Sequence, residues 1–346
     1  MTAATTSVAT SPGPPDRGAA PPFPRLLWTE WQRLWARRFT KALLAVSVLG
    51  YLAAMVFLWS AHAQPTPQDI AEATVARDQN IADIRASVDQ CIAGGETSGF
   101  CGVAPTPADY PIDYFLASSP FTPTQVPYYS LAVGVAVAMA GFILGATFIG
   151  AEWSSRNLVA WLFYEPRRLR LLGAKLLALI GAVTVLALVA QAIWLLSAQL
   201  LITQRGVPVS SLGSDADQFW PTALQESLRA ALLVVPVTLL GFGLANLLRN
   251  TAAAFGVAFV FFVIVEQVAA GISPGLQPYQ FTVSVAAWVT SGGITVFGDA
   301  VYDAQAGYVS PAPIPVSNLH GGVVLMVYAA VVLGVSVWLF RRRDVV

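Results

Sequence analysis

Charge is scarce in this chain of 346 residues. Only 11% of the residues are Asp, Glu, Lys or Arg, whereas soluble domains carry about 25%. The formal net charge is zero, which argues against nucleic-acid binding because that function needs a basic surface. No stretch of the chain has the composition of a soluble catalytic domain.

Motifs for catalysis and for cofactors are also missing. No GxxxxGK[ST] phosphate loop occurs, so the chain does not bind ATP through that motif. The only histidines are His62 and His320, which excludes an HExxH metal site. The one GxSxG string, residues 271–275, places Pro274 where a serine-esterase motif needs a backbone N–H donor. We expect no catalytic residue, no metal and no cofactor in this chain.

Long apolar runs are the most prominent feature that is present. Hydrophobic residues make up 56% of the chain, and the mean hydropathy is +0.63. About 20 consecutive apolar residues cross the hydrocarbon core of a bilayer. The sequence therefore predicts an all-α integral membrane protein with six spans, at residues 42–61, 128–151, 176–201, 230–248, 252–270 and 321–340.

Residues 280–298 are apolar enough to enter the bilayer but are interrupted by Ser291, Gly292 and Gly293. We interpret them as two short outer half-helices or a re-entrant hairpin before the last span. The alternative is a seventh span, which would place the arginines at 341–343 outside, against the positive-inside bias. Six spans therefore agree better with the charge distribution.

Lys and Arg are distributed unevenly between the two sides of this six-span arrangement. Fifteen of the nineteen fall on the side of the two termini, and four fall on the other. Since cytoplasmic loops carry the excess of Lys and Arg, we predict a plasma-membrane protein with both termini in the cytoplasm.

The residues before the first span divide into two parts. Residues 1–24 are rich in Ala, Thr and Pro, which predicts a disordered cytoplasmic tail before a membrane domain at residues 25–346. Trp28, Trp31 and Trp35 then follow at helical spacing among arginines. This pattern predicts an amphipathic helix in the plane of the inner headgroup layer. A simple juxtamembrane anchor is the alternative.

The first outer loop, residues 62–127, is the longest segment between spans. Residues 68–90 have helical spacing of their apolar positions. The only two cysteines of the chain, Cys91 and Cys101, both lie in this loop. On an oxidising face an even pair indicates a disulfide, although two free thiols or pairing between chains are alternatives.

A charged and aromatic connector, residues 152–175, separates the second and third spans. Its centre, residues 159–164, is apolar on nearly every face, which is typical of a protein contact or a membrane contact. The combination of aromatic residues with arginine favours a protein interface. The alternative is a segment that lies on the inner leaflet, anchored by Trp153, Trp161 and the arginines.

Two polar residues within the spans are candidates for a translocation path. Gln191 lies in the third span, where it either hydrogen-bonds between helices or lines a substrate path. Glu266 lies near the outer end of the fifth span. An ionisable residue at membrane depth is a functional candidate, whereas snorkelling to the interface is the alternative.

The connector resembles that of the membrane subunits of the type-2 ABC exporter family. That family shows a Glu after the second span, a short apolar cytoplasmic helix, a Pro-x-Arg step and a Lys that opens the third span. The tight turn at Arg249 and Asn250 and the tryptophan-rich segment before the first span also match, whereas Arg156-Asn157 departs from the family's frequent Gly-Thr. The matching positions here are Glu152, residues 158–164, Pro166 with Arg167 and Arg168, and Lys175. Together with the aromatic and basic composition of the connector, the resemblance implies an ATPase docking and coupling site at Glu152, Trp153, Arg156, Leu158, Trp161, Pro166, Arg167, Arg168 and Lys175.

The resemblance implies a six-span permease domain at residues 25–346 that exports a substrate with the help of separately encoded ABC ATPase subunits. ATP and magnesium would then be bound by the ATPase partner. A second permease chain, identical or not, and membrane lipid are the other implied partners, and nucleic acid is not one. A membrane scaffold or sensor that uses the outer loop as its receiving surface is the alternative function. A channel is the weakest, because no charged or carbonyl-rich filter occurs.

Overall fold

The computed structural model describes residues 22–95, 101–155, 167–303 and 308–342 of the chain. Within these residues the chain folds into α-helices and one antiparallel β-hairpin. The helices are α1 (Phe23–Ala36), α2 (Arg38–Ala61), α3 (Pro67–Ala93), α4 (Val126–Ser154), α5 (Arg168–Arg205), α6 (Ala216–Leu232), α7 (Val234–Leu248), α8 (Thr251–Val260), α9 (Glu266–Ile272), α10 (Phe281–Val289) and α11 (Asn318–Arg342), and the strands are β1 (Ile294–Asp303) and β2 (Tyr308–Val316).

Six helical segments of the described chain are long and apolar enough to cross a membrane, which confirms the predicted number of spans. They are α2, α4, α5, α6 with α7, α8 with α9, and α11. A π-helical turn, Phe261–Val265, joins α8 to α9. The chain is thus a helical multi-pass membrane protein.

The bundle is centred on α4 and α7, which pack closely because glycines face the neighbouring helix. A Cβ atom added to Gly145 would lie 2.7 Å from the carbonyl oxygen of Thr238 and 3.0 Å from the amide nitrogen of Phe242. Gly141 also faces Thr238. Small residues of this kind let helix backbones approach in membranes. The helices α2 and α8–α9 lie at the periphery and expose most of their side chains.

The fourth span begins earlier than the predicted residue 230. The helix α6 already begins at Ala216, and Leu233 joins it to α7 with helical dihedral angles. The outer residues before it form a 3-10 segment, Val209–Asp215. The first turns of α6 carry Asp217 and Pro221. Such residues are typical of loops, so the sequence did not indicate this helix.

The prediction of two outer half-helices or a re-entrant hairpin at residues 280–298 is wrong in its second half. The first half is the helix α10, but Ile294–Asp303 is a β-strand that pairs with Tyr308–Val316. The prolines of β2 occupy alternate positions, 311, 313 and 315. The backbone nitrogens of alternate residues point to the same side of a strand. Three prolines at alternate positions are therefore compatible with a side of β2 that has no neighbouring strand, where no N–H donor is needed. Gly292 and Gly293, both at positive φ, form the turn between helix and strand.

The predicted helix in the first outer loop is present as α3. Thr66 and Asp69 form a capping box at its N-terminus, and the Thr66 backbone N–H and hydroxyl hold the pKa of Asp69 below its ordinary value. The structure joins Cys91, near the end of α3, to Cys101 in a disulfide. The disulfide therefore fixes Cys101 to the C-terminal end of α3.

We predict that Gly145→Ala destabilises the bundle, because the added methyl would meet the backbone of α7. Overpacking of this kind costs about 1–3 kcal/mol, so the thermal unfolding temperature of the purified protein should fall. Gly256→Ala on α8 is the matched control, since a Cβ there has no heavy atom within 4 Å. Equal melting temperatures for the two variants would contradict the close packing of α4 on α7.

Candidate functional site

A buried group of charged residues lies at the end of the bundle where α1 packs against α5. Lys175, two turns into α5, is 0% exposed. Its Nζ atom donates to Glu30 Oε2 of α1 at 2.7 Å and to Glu152 Oε1 of α4 at 2.8 Å. One ammonium group therefore connects three separate helices.

Two arginines of the N-terminal segment complete this group. Arg37 donates to Glu152 Oε1 at 2.8 Å and to the carbonyl oxygen of Phe148 at 3.1 Å. Arg33 pairs with Glu30 at 2.8 Å. We call Glu30, Arg33, Arg37, Glu152 and Lys175 the Lys175 cluster. It contains three cationic and two anionic side chains, so a formal positive charge remains.

The aromatic ring of Phe148 lies against two cations of the Lys175 cluster. The guanidinium carbon of Arg37 lies 4.5 Å from the ring centroid and the Lys175 ammonium lies 5.1 Å from it. Such cation–π contacts strengthen when the cation is desolvated. Burial lowers the pKa of Arg37 from its ordinary value, and the nearby Glu152 carboxylate opposes that shift.

Local backbone geometry places these side chains together. The helix α1 ends at Ala36, and Arg37 is extended, with φ −68° and ψ 129°, so the chain turns sharply before α2 begins. Glu152 lies in the last turn of α4, and Lys175 lies near the start of α5. The cluster thus joins the two helix ends from which residues 156–166 depart, and it fixes α1 on both.

A second polar contact lies next to the cluster and connects α4 with two further helices, α7 and α11. The indole N–H of Trp153 donates to Asn246 Oδ1 of α7 at 2.9 Å, and Asn246 Nδ2 donates to Ser336 Oγ of α11 at 2.8 Å. The guanidinium carbon of Arg249 lies 4.4 Å from the Trp153 ring centroid. Arg249 has the left-handed φ of 53° at the tight turn between α7 and α8, where Asn250 caps α8.

The predicted docking residues fall into two groups. Arg156, Leu158, Trp161 and Pro166 lie outside the described residues. Arg167 immediately precedes α5 and Arg168 is its first residue. The structure brings Glu152 and Lys175 into direct contact and places Trp153 beside them. A role of these residues in docking an ATPase stays a prediction.

The two candidates for a translocation path have structural partners near the opposite end of the bundle. Gln191 Oε1 accepts from the Ser130 hydroxyl at 3.0 Å, and its amide donates to the Ser130 carbonyl oxygen at 3.0 Å. This is the interhelical hydrogen bond that sequence analysis offered as one alternative. The Glu266 carboxylate accepts from the backbone N–H groups of Phe281 and Thr282 and so caps α10. A role of Gln191 or Glu266 in translocation stays a prediction.

Glu30 and Arg37 belong to this site but were not predicted as members of it. A signal for Glu30 was present, since it is the only acidic residue between Arg17 and Gln68. A single carboxylate in a tryptophan-rich helix is a candidate for burial. A buried charge is stable only when it is paired, so such a residue predicts an ion-pair partner. Asn246 gave a weaker signal, as a single amide near the end of an apolar run.

No family model matches the chain, and the comparison with curated proteins finds no similar sequence.

We predict that Lys175→Met strongly destabilises the protein, because it leaves the carboxylates of Glu30 and Glu152 buried with only their arginine partners. Breaking a buried ion pair costs about 3–5 kcal/mol. Arg77→Met is the matched control, because the Arg77–Asp78 pair is on the surface of α3, where such pairs contribute about 0–1 kcal/mol. Thermal unfolding in detergent measures both, and a similar loss for the two variants would contradict the role assigned to Lys175.

Proposed function

We propose that this chain is the membrane-spanning permease subunit of an ABC exporter and that a separately encoded ATPase docks on the connector at residues 152–175. The observation that carries the proposal is the Lys175 cluster, which connects α1 with both helix ends that flank the connector. A force applied to the connector acts on α4 and α5 together, since the cluster opposes their separation. The lack of a phosphate loop agrees with an ATPase in another chain.

In this proposal the end of the bundle that carries the Lys175 cluster faces the cytoplasm, and the β-hairpin end faces outward. The unequal distribution of Lys and Arg supports this orientation. The helix α1 lies in the plane of the inner headgroup layer, with the exposed Trp28 ring in that layer. Its attachment through Glu30 then ties the membrane surface to the start of the third span.

The proposed cargo is lipid-like or amphipathic rather than ionic. In the described residues the buried ionisable side chains lie near the two ends of the bundle: Glu30, Glu152 and Lys175 at one end, and His62, Glu226 and Glu266 at the other. An ion path would need charged or carbonyl ligands through the middle of the membrane. The apolar middle of the bundle therefore supports an apolar or amphipathic cargo.

A second permease chain is the proposed partner within the membrane, and α8–α9 is the proposed seam. Its apolar side chains, including Phe259, Val263 and Ile264, are exposed. The glycines of α4 are less suited to this role, because Gly141 and Gly145 already face α7 within the chain.

The alternative function is a membrane scaffold or sensor whose receiving surface is the first outer loop. The observation that favours it is α3, a capped helix of 27 residues that ends beside the Cys91–Cys101 disulfide. It exposes Ile70, Val75 and Ile92. A rigid outer helix with apolar positions is suited to binding a protein or a peptide ligand.

The test is purification of the tagged chain in mild detergent from its native host, followed by mass spectrometry of the proteins that accompany it. We expect a stoichiometric ATPase with a phosphate-loop motif, and we expect it to be lost when residues 158–164 are deleted. Glu152→Gln should weaken the association, since it removes the charge of the first connector residue and with it the ion pairs that join α4 to α1 and α5. Glu72→Gln on the exposed face of α3 is the control and should have no effect.

Membrane insertion of each variant is verified by extraction from the membrane fraction and by size-exclusion chromatography. If the ATPase remains bound to a deletion variant that is correctly inserted, the connector is not the docking site. A chain that purifies alone, or with signalling proteins bound to α3, would favour the scaffold or sensor.

A further inference from the structure

A cavity of about 550 Å³ opens beside the Lys175 cluster, at the bend between α1 and α2. One part of its wall is polar and contains two arginines, three hydroxyl-bearing residues and a carboxylate. The other part is apolar. The residues that line it are Leu34, Arg37, Arg38, Phe39, Thr40, Leu144, Thr147, Phe148, Ala151, Glu152 and Ser155.

The N-terminus of α2 lies in this wall and has no side-chain cap. The first backbone bond at this end runs from the Lys41 N–H to the Arg37 carbonyl oxygen, at 3.3 Å. The preceding N–H groups, those of Arg38, Phe39 and Thr40, therefore have no carbonyl partner within the helix. All three residues line the cavity. Uncapped N–H groups and the positive end of the helix dipole favour an anion at such a place.

The Thr40 hydroxyl is an independent indication of a ligand. Thr40 is only 3% exposed and lines the cavity. Among the residues that the structure describes, its hydroxyl has no hydrogen-bond partner. Because the rest of this residue is buried, the cavity is the place from which a partner can reach the hydroxyl. A ligand oxygen in the cavity would give this hydroxyl an acceptor.

The charge around the cavity favours an anion over a cation. Arg33, Arg37, Arg38 and Lys175 contribute four positive charges, whereas Glu30 and Glu152 contribute two negative ones. Arg38 is exposed and forms no ion pair within the described part of the chain. Its guanidinium is the group best placed to bind an incoming phosphate, with which arginine forms bidentate hydrogen bonds.

The apolar part of the wall distinguishes a phospholipid from a free phosphate ion. Phe39 is 47% exposed, and beyond it α2 exposes Leu44, Val48 and Leu52 along the length of a candidate span. A phosphate held at the N-terminus of α2 would therefore have its acyl chains beside an apolar helix surface. The polar cavity suits the headgroup of a phospholipid, and the adjoining apolar surface of α2 suits its acyl chains.

We propose that the cavity binds the phosphate group of an anionic phospholipid from the membrane leaflet at the α1 end. The Arg38 guanidinium, the Thr40 hydroxyl and the free N–H groups of α2 hold the phosphate, and the acyl chains lie along Phe39 and the following residues of α2. The proposal does not depend on the transport function, because it needs only that α2 spans the membrane.

The test is native mass spectrometry of the full-length protein, delipidated in detergent and titrated with phosphatidylglycerol or phosphatidylcholine of the same acyl chains. We expect phosphatidylglycerol to bind at least about fivefold more tightly, the factor expected for one basic residue at an anionic lipid. Arg38→Gln should remove most of this preference, and Thr40→Val should weaken phosphatidylglycerol binding while keeping the shape of the side chain. Arg77→Gln on α3 is the control and should leave the preference unchanged.

Thermal unfolding with the same lipids gives a second readout and verifies that each variant is folded. Phosphatidylglycerol should raise the unfolding temperature of the unaltered protein and of Arg77→Gln, but not that of Arg38→Gln. Inorganic phosphate at the same concentration should have little effect. Equal binding of the two lipids, a full preference in Arg38→Gln, or equal stabilisation by inorganic phosphate would each overturn the proposal.

Discussion

Burial of the Lys175 ammonium is the constraint on which the α1 end of the protein depends. A single charge in an apolar environment is strongly unfavourable unless partners surround it. Lys175 has two carboxylate partners, Glu30 from α1 and Glu152 from α4. If either helix separated from α5, a carboxylate and the Lys175 ammonium would lose their ion pair. An interaction that adds little net stability can therefore still determine which helices stay together.

The arrangement of polar contacts along the bundle follows from the same physics. In the middle of the bundle, α4 and α7 pack through glycines and make close apolar contact. Near the ends, charged and amide side chains connect the helices, through Lys175 at one end and through the Ser130–Gln191 pair towards the other. Asn318 adds a further polar contact at that end by donating to the carbonyl oxygens of Ala287 and Thr290. Movement of one helix end is thus resisted by specific bonds, whereas α4 and α7 are held together in the middle by close packing.

Hydropathy was sufficient to predict the six membrane-spanning segments, because a charge-free run of about 20 residues has few alternatives to a membrane helix. It was not sufficient for Ile294–Asp303, which forms a strand although its apolar composition also suits a helix. The pairing partner, Tyr308–Val316, contains three prolines, and prolines normally argue against a strand. The Lys175 cluster was only half predictable, since Glu30 and Lys175 are 145 residues apart in sequence. Their contact depends on how three helix ends pack, which local patterns do not encode.

Arg37 links the Lys175 cluster to the neighbouring cavity, because the same side chain bonds to Glu152 and lines the cavity wall. An anion in the cavity would compete with Glu152 for the positive charge of Arg37, whereas Lys175 would keep its hold on Glu152. The strength of the Arg37–Glu152 pair would then depend on what occupies the cavity. Since Glu152 lies at the end of α4 where the connector begins, the occupant of the cavity and any partner bound to the connector would act on the same carboxylate. Membrane composition and the state of the connector are therefore expected to be energetically coupled through Arg37.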